Sequence, residues 1–269
     1  MCERNQEVTL HTVAGAVCDI MGVTPPEHAA EGNKTLKAYA ESVFGEEKAD
    51  RVLLYHPDAI PRWIMEKYPA LFAKTINRTE FSLPLYTPMQ PVTPVCFATI
   101  YTGALPDVHG IHVYERPVLR TDTIYDTLAR SGKKAAIIAH KTCTFAKIFL
   151  ERDIDYYFFS TMEEIRAKTA ELIIEDKYDL ISVHDCSFDT IMHRHGPESI
   201  EALSEAKIHN DTYAMLDALV NTHWQEHNVL MAFAMDHGCH EIEGGKGEHG
   251  DDIPEDRCIT HYYKAYGRR

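Results

Sequence analysis

Two hydrophobic patterns alternate along the chain. Leu10, Val13, Val17 and Ile20 recur at helical spacing and Thr35 to Phe44 supplies a second amphipathic stretch, so roughly the first 48 residues are expected to form a helical lead-in. Short apolar runs follow: RVLLY (51–55), KKAAIIA (133–139), DYYFF (155–159), YDLISVH (178–184) and NVLMAFAM (228–235). Amphipathic segments such as Thr161 to Glu175 and Ile200 to Trp224 separate them. Strands alternating with helices predict an α/β fold with a mostly parallel central sheet. Its strands should be buried on both faces, which leaves the functional residues along the carboxyl edge. The tail CITHYYKAYG offers one more strand. Neither an internal repeat nor a Ser/Gly-rich linker divides the chain, so residues 1–269 are expected to form one domain, with a core at about 50–266 and the lead-in packed on it.

Composition narrows the function classes. A chain that is 45% hydrophobic and 25% charged lies in the ordinary folded range. Lys+Arg 27 against Asp+Glu 41 leaves a net charge of −14, a field that repels nucleic acid and anionic membranes. An anionic phosphate substrate would be repelled too, unless metal cations reverse the sign locally. The N-terminal MCERNQEVTLHTVAG has no basic segment leading into an apolar one, and no window approaches a membrane span, so a cytoplasmic protein is expected. Seven cysteines, Cys2, Cys18, Cys96, Cys143, Cys186, Cys239 and Cys258, are scattered without CxxC spacing and read as reduced thiols.

Candidate chemistry gathers at four places. After NVLMAFAM come Asp236-His237-Gly238, and the glycine-rich GGKGEHG then brings His249; imidazoles and a carboxylate suit Zn²⁺ and related ions, and glycines let a loop close around them. With 16 histidines in the chain, an isolated pair would carry little weight. After YDLISVH, Asp189 and His193 stand four apart and would share one face of a helical turn. Asp185, nearer the strand end, and His195 compete for the same role. Thr93 follows a Pro-bounded extended stretch where a helix can start, which fits an ordinary N-cap. Beside two metal ions the same hydroxyl could be a nucleophile, with the helix amides facing an incoming phosphate. Asp58, in HPDAIP after RVLLY, lies at a strand's carboxyl end between Pro57 and Pro61.

These residues resemble the alkaline phosphatase superfamily, and within it the type I phosphodiesterase/nucleotide pyrophosphatase branch. Thr93 followed by Thr102-Gly103, Pro106 and His109-Gly110-Ile111 is similar to the branch's nucleophile segment. Asp189-x-x-x-His193-x-x-Gly196-Pro197, Asp236-His237-Gly238 and His249-Gly250 match its remaining motifs in the family's order. The resemblance covers roughly residues 50 to 266 and implies an alkaline phosphatase-like α/β/α sandwich. One divalent ion would be held by Asp189, His193 and His249, and the other by Asp58, Asp236, His237 and the Thr93 oxygen. Zinc fits that donor set best, with manganese acceptable.

Two departures stand out. His56 and Pro57 precede Asp58 in a less typical YHPD sequence, and Tyr114 stands where the branch usually has an asparagine that holds a phosphate oxygen. The large inserted cap of some members is not evident. The implied activity is phosphoester hydrolysis through a phosphothreonine intermediate, on a small-molecule diester or pyrophosphate. A phosphomonoesterase, a phosphonoacetate-type hydrolase or a non-catalytic metal-binding scaffold could share this core.

Overall fold

The computed structural model describes residues 9–269; Cys2 and the start of the N-terminal segment lie outside them. The five apolar runs form β1 (Arg51–Pro57), β3 (Ala135–His140), β4 (Asp155–Phe159), β5 (Leu180–Asp185) and β6 (Val229–Phe233). The tail forms β9 (Cys258–Tyr266), and β2 (Phe81–Tyr86) completes a seven-stranded sheet in the order β2-β9-β6-β1-β5-β3-β4. The five strands from β6 to β4 are parallel, while β9 runs antiparallel to both β6 and β2. Helices flank this mostly parallel sheet. β5 and β6 are buried along their whole length, as continuous apolar runs covered on both faces should be. β2 carries Pro84, which donates no ladder hydrogen bond and is tolerated because the strand is an edge.

Leu53 sits mid-strand in β1, paired with Ile181 of β5 and Met231 of β6, and is fully buried. Leu53→Ala is therefore expected to cost ~2–5 kcal/mol, read from denaturant midpoints; a loss below ~1 kcal/mol would show that the centre of the sheet can collapse around the missing volume.

The lead-in forms helices Thr12–Met21 and Lys34–Phe44, and Leu10, Val13, Val17 and Ile20 all belong to the same buried cluster as the sheet. Gly15 and Gly32 bring two backbones into direct contact: a Cβ on Gly32 would lie 2.5 Å from Ala16 N. The expected amphipathic segments form helices Met162–Glu175 and Ile200–His223, started by Thr161, which makes a capping box with Glu164, and by Ser199.

The expectation of seven reduced thiols is corrected for Cys258, which is disulfide-bonded. Scattered spacing could not reveal a bond that depends on where β9 returns in space. Cys18, Cys96, Cys143, Cys186 and Cys239 are free. Among the described residues no helix is long and apolar enough to cross a membrane.

Candidate metal centre and active site

All five parallel strands end on one edge, and the segments leaving β1, β3, β4 and β5 line a cleft of about 640 Å³ there. Asp58 follows β1, and its N–H donates to Asp185 O at 3.0 Å, which extends the β1–β5 ladder by one residue. Asp236 and His237 follow β6. The helix Ser187–His195 follows β5 and presents Asp189 and His193 one turn apart. The hairpin of β7 (His240–Ile242) and β8 (Lys246–Glu248) then delivers His249.

The candidate residues assemble into two clusters. In one, His237 Nε2 lies 3.4 Å from both Asp58 Oδ1 and Asp236 Oδ2, and 3.3 Å from Thr93 Oγ1. In the other, Asp189 Oδ1 lies 3.2 Å from His193 Nε2 and 3.3 Å from His249 Nε2. Within each of the groups Asp58/Asp236/His237 and Asp189/His193/His249 the candidate ligand atoms all fall within 4.8 Å of one another. The rings of His237 and His249, 4.2 Å apart, join the two.

Hydrogen bonds fix which ring nitrogen faces inward. His237 Nδ1 donates to Gly238 O at 3.0 Å and His193 Nδ1 to Gly247 O at 3.0 Å, so each aims Nε2 at its carboxylate. Burial pushes His237 down to about 3, leaving it neutral with a free lone pair. Contact with the Asp189 carboxylate pushes His193 up to about 9. Burial draws the Asp189 carboxyl upward, but His193 and His249 outweigh it and hold it well below the carboxylate range. Asp58 is driven far up by burial and by the nearby Asp236 and Asp189 charges, and Asp236, mainly through burial, rises to about 6. Three carboxylate oxygens in this crowd, Asp58 Oδ1, Asp236 Oδ2 and Asp189 Oδ1, accept no hydrogen bond although buried. Buried carboxylate oxygens without hydrogen-bond donors, clustered with imidazole nitrogens, are what a cation site requires.

The competitors go elsewhere. Asp185 is spent on Arg166, Tyr55 and the Ser187 hydroxyl, at 2.9, 3.2 and 2.6 Å, and His195 is exposed. Asp185, Glu205 and His209 form a further acidic group, but the Arg166 guanidinium bridges its two carboxylates. The N-cap reading of Thr93 is corrected: Val92 holds that position in extended backbone and Thr93 is the first helical residue of Thr93–Thr102. Its hydroxyl is thus turned toward His237 rather than onto its own helix. Tyr114 lines the cleft, with its hydroxyl accepting from Arg116 Nη2 at 2.8 Å and Thr144 Oγ1 at 3.4 Å.

Sequence reasoning missed His184. Its Nε2 donates to Asp58 Oδ2 at 2.8 Å, which leaves Oδ1 turned toward His237, and burial holds it neutral by pushing it down to about 4. The available signal was a histidine at the end of an otherwise apolar strand run.

Gly247 lets the hairpin close on the ligand-bearing helix, since a Cβ there would lie 2.5 Å from Met192 Sδ and 2.7 Å from Met192 O. Gly247→Ala should displace both the His193 acceptor and His249. The expected result is a metal affinity ~10-fold weaker by chelator competition, and unchanged affinity would show that the hairpin is not held by this contact.

The family model for type I phosphodiesterase/nucleotide pyrophosphatase matches residues 55–266. No curated protein sequence matches the chain. Among solved structures, the chain is similar to murine ectonucleotide pyrophosphatase/phosphodiesterase 5, an inactive variant in complex with AMP, at 14% identity and TM-score 0.64 over 81% of this chain and 88% of that one. The human counterpart has 14% identity and TM-score 0.62, again over 81% and 88%. Phosphonoacetate hydrolase from Sinorhizobium meliloti 1021, in complex with phosphonoacetate, has 17% identity and TM-score 0.54 over 73% of this chain and 59% of that one. At such identities the likeness to solved structures establishes an alkaline phosphatase-like fold.

Proposed function

The chain belongs to the type I phosphodiesterase/nucleotide pyrophosphatase family, and on that premise we propose that it is a two-metal phosphoester hydrolase with Thr93 as its nucleophile. The observation that carries this reading is the set of three orphaned, buried carboxylate oxygens, each facing an imidazole, with the Thr93 hydroxyl against the same His237. Asp189, His193 and His249 would hold one ion, and Asp58, Asp236, His237 and Thr93 Oγ1 the other. When bound, the ions neutralise the carboxylates, acidify the threonine hydroxyl and water, and stabilise charge on the attacking and leaving oxygens. The donor set suits Zn²⁺ best and Mn²⁺ acceptably.

Thr93 Oγ1 bonds to phosphorus as the bond to the leaving oxygen breaks, and water then hydrolyses the phosphothreonine to restore the hydroxyl. In the first turn of the Thr93–Thr102 helix Pro94 has no N–H and Cys96 N donates to Val92 O, so the N–H groups of Thr93 and Val95 are the ones that would serve an incoming phosphate. Tyr114 accepts two hydrogen bonds through its oxygen, so its own proton is available to a non-bridging phosphate oxygen, the role the asparagine has in other members.

The test is turnover by Zn²⁺- and Mn²⁺-reconstituted protein of bis-4-nitrophenyl phosphate beside 4-nitrophenyl phosphate. Preference for the diester is expected, and Tyr114→Phe should lower its kcat/KM ~10-fold. Preference for the monoester would assign a phosphatase. Inactivity on both with two ions bound would favour the second reading, a phosphonate hydrolase, which the likeness to phosphonoacetate hydrolase supports.

A further inference from the structure

Charge in the outer cleft does not follow the net −14 of the chain. Asp58 and Asp189, which line it, belong to the two clusters described above. Arg166 is spent: its Nε and Nη2 donate to Asp185 Oδ2 at 3.1 and 2.9 Å, and Nη2 to Glu205 Oε1 at 3.0 Å. That leaves Arg116, Arg194 and Glu163. Elsewhere arginines are paired with carboxylates, as Arg51 is with Asp176, Arg120 with Glu151 and Arg130 with Asp122. Among the described residues neither Arg116 nor Arg194 has a carboxylate at ion-pair distance.

Arg116 is nonetheless held in place. Its Nη1 donates to Thr142 O at 3.2 Å and Nη2 to the Tyr114 hydroxyl at 2.8 Å, with the guanidinium 5.2 Å from the Tyr114 ring centre. Those two bonds leave the rest of its five N–H donors open. Arg194 follows His193 directly at the end of the helix Ser187–His195, so its backbone position is tied to that of a candidate metal ligand. The hydroxyls of Thr142, Thr144, Ser160, Thr161 and Thr190 line the same space.

We propose that Arg116 and Arg194 form a second anion subsite, so that the preferred substrate carries, on the arm away from the scissile bond, a carboxylate or a second phosphoryl group. This rests on the hydrolase reading of the same cleft. A guanidinium matches either anion through its donor fork, and an arginine already oriented by neighbours loses less freedom on binding. Against the one remaining lining carboxylate, Glu163, the two arginines offer guanidinium donors that a singly anionic ligand held at the metal cluster would not use.

Calorimetric titration of the metal-loaded full chain with propylphosphonate, 3-phosphonopropanoate and ethane-1,2-diphosphonate tests this. At least one doubly functionalised ligand should bind ~10-fold more tightly than propylphosphonate, and the tighter of the two identifies the group. Arg116→Gln and Arg194→Gln should each cut that preference to within ~3-fold, whereas Arg120→Gln, outside the cleft, should keep it. Equal affinities in the unmodified chain, or a preference that survives both cleft substitutions, would overturn the subsite. Turnover of bis-4-nitrophenyl phosphate is measured on the same samples. Turnover without the preference refutes the subsite alone, and the preference without turnover refutes the hydrolase reading alone.

Discussion

Thr93→Ala is expected to reduce kcat by ~10³–10⁶-fold, since loss of an attacking hydroxyl removes the covalent route rather than weakening it. The substitution is suited to separate chemistry from folding. Thr93 is the first residue of its helix, its side chain caps nothing, and alanine is the better helix former, so stability should change by no more than ~1 kcal/mol. Among the described residues its hydroxyl meets His237 Nε2 at 3.3 Å. Both ions should therefore remain bound, with affinity lowered only modestly at the Asp58 cluster. Thr93→Ser, which restores the hydroxyl, should recover a substantial part of the activity. Full activity in the alanine variant, measured as 4-nitrophenolate release at saturating metal, would remove Thr93 from the mechanism. Loss of activity together with both ions would reassign it to a structural role.

Asp236→Asn should have effects of opposite sign in the loaded and metal-free protein. In the loaded protein it removes a charged oxygen from the cluster with Asp58 and His237, and metal affinity should fall by at least ~10²-fold with activity following. In the metal-free protein Asp236 is fully buried, its Oδ2 has no hydrogen-bond partner, and it adds negative charge beside Asp58 and Asp189. Relieving an unsatisfied, repelled carboxylate of this kind is worth ~1–3 kcal/mol, so the metal-free variant should unfold several degrees higher than the metal-free parent. Melting curves with and without chelator read both signs. A carboxylate that merely braced the fold would destabilise both forms on substitution, and that pattern would overturn its assignment as a ligand.

How much of this was legible beforehand depended on whether the cause was local. The strand runs at 51–55, 155–159 and 228–235 and the helices at 162–175 and 200–223 follow from periodicity, because side-chain spacing along one segment decides which face it can bury. Asp58 and Asp236 could be placed at strand ends for the same reason, and Asp189 with His193 on a helical turn beyond one. β2 was not legible, since FSLPLY contains a proline and becomes a strand only because β9 returns beside it as a partner. Nor was the disulfide at Cys258, whose spacing matches no local pattern.

The chain alone determined the alternation of strands and helices, and hence an α/β sheet with chemistry along one edge. It also determined the donor types, imidazole and carboxylate, that such an edge would offer. Only the tertiary structure decided which donors meet. It sent Asp185 to Arg166 and left Asp189 to His193 and His249, brought His184 against Asp58, and turned Thr93 toward His237 instead of its own helix. Those outcomes depend on the direction of each side chain where three strands end together, and on the close approach that Gly247 permits. Sequence spacing describes distance along the chain, whereas an ion or a phosphate responds to distances of a few ångströms between atoms that lie far apart in that chain.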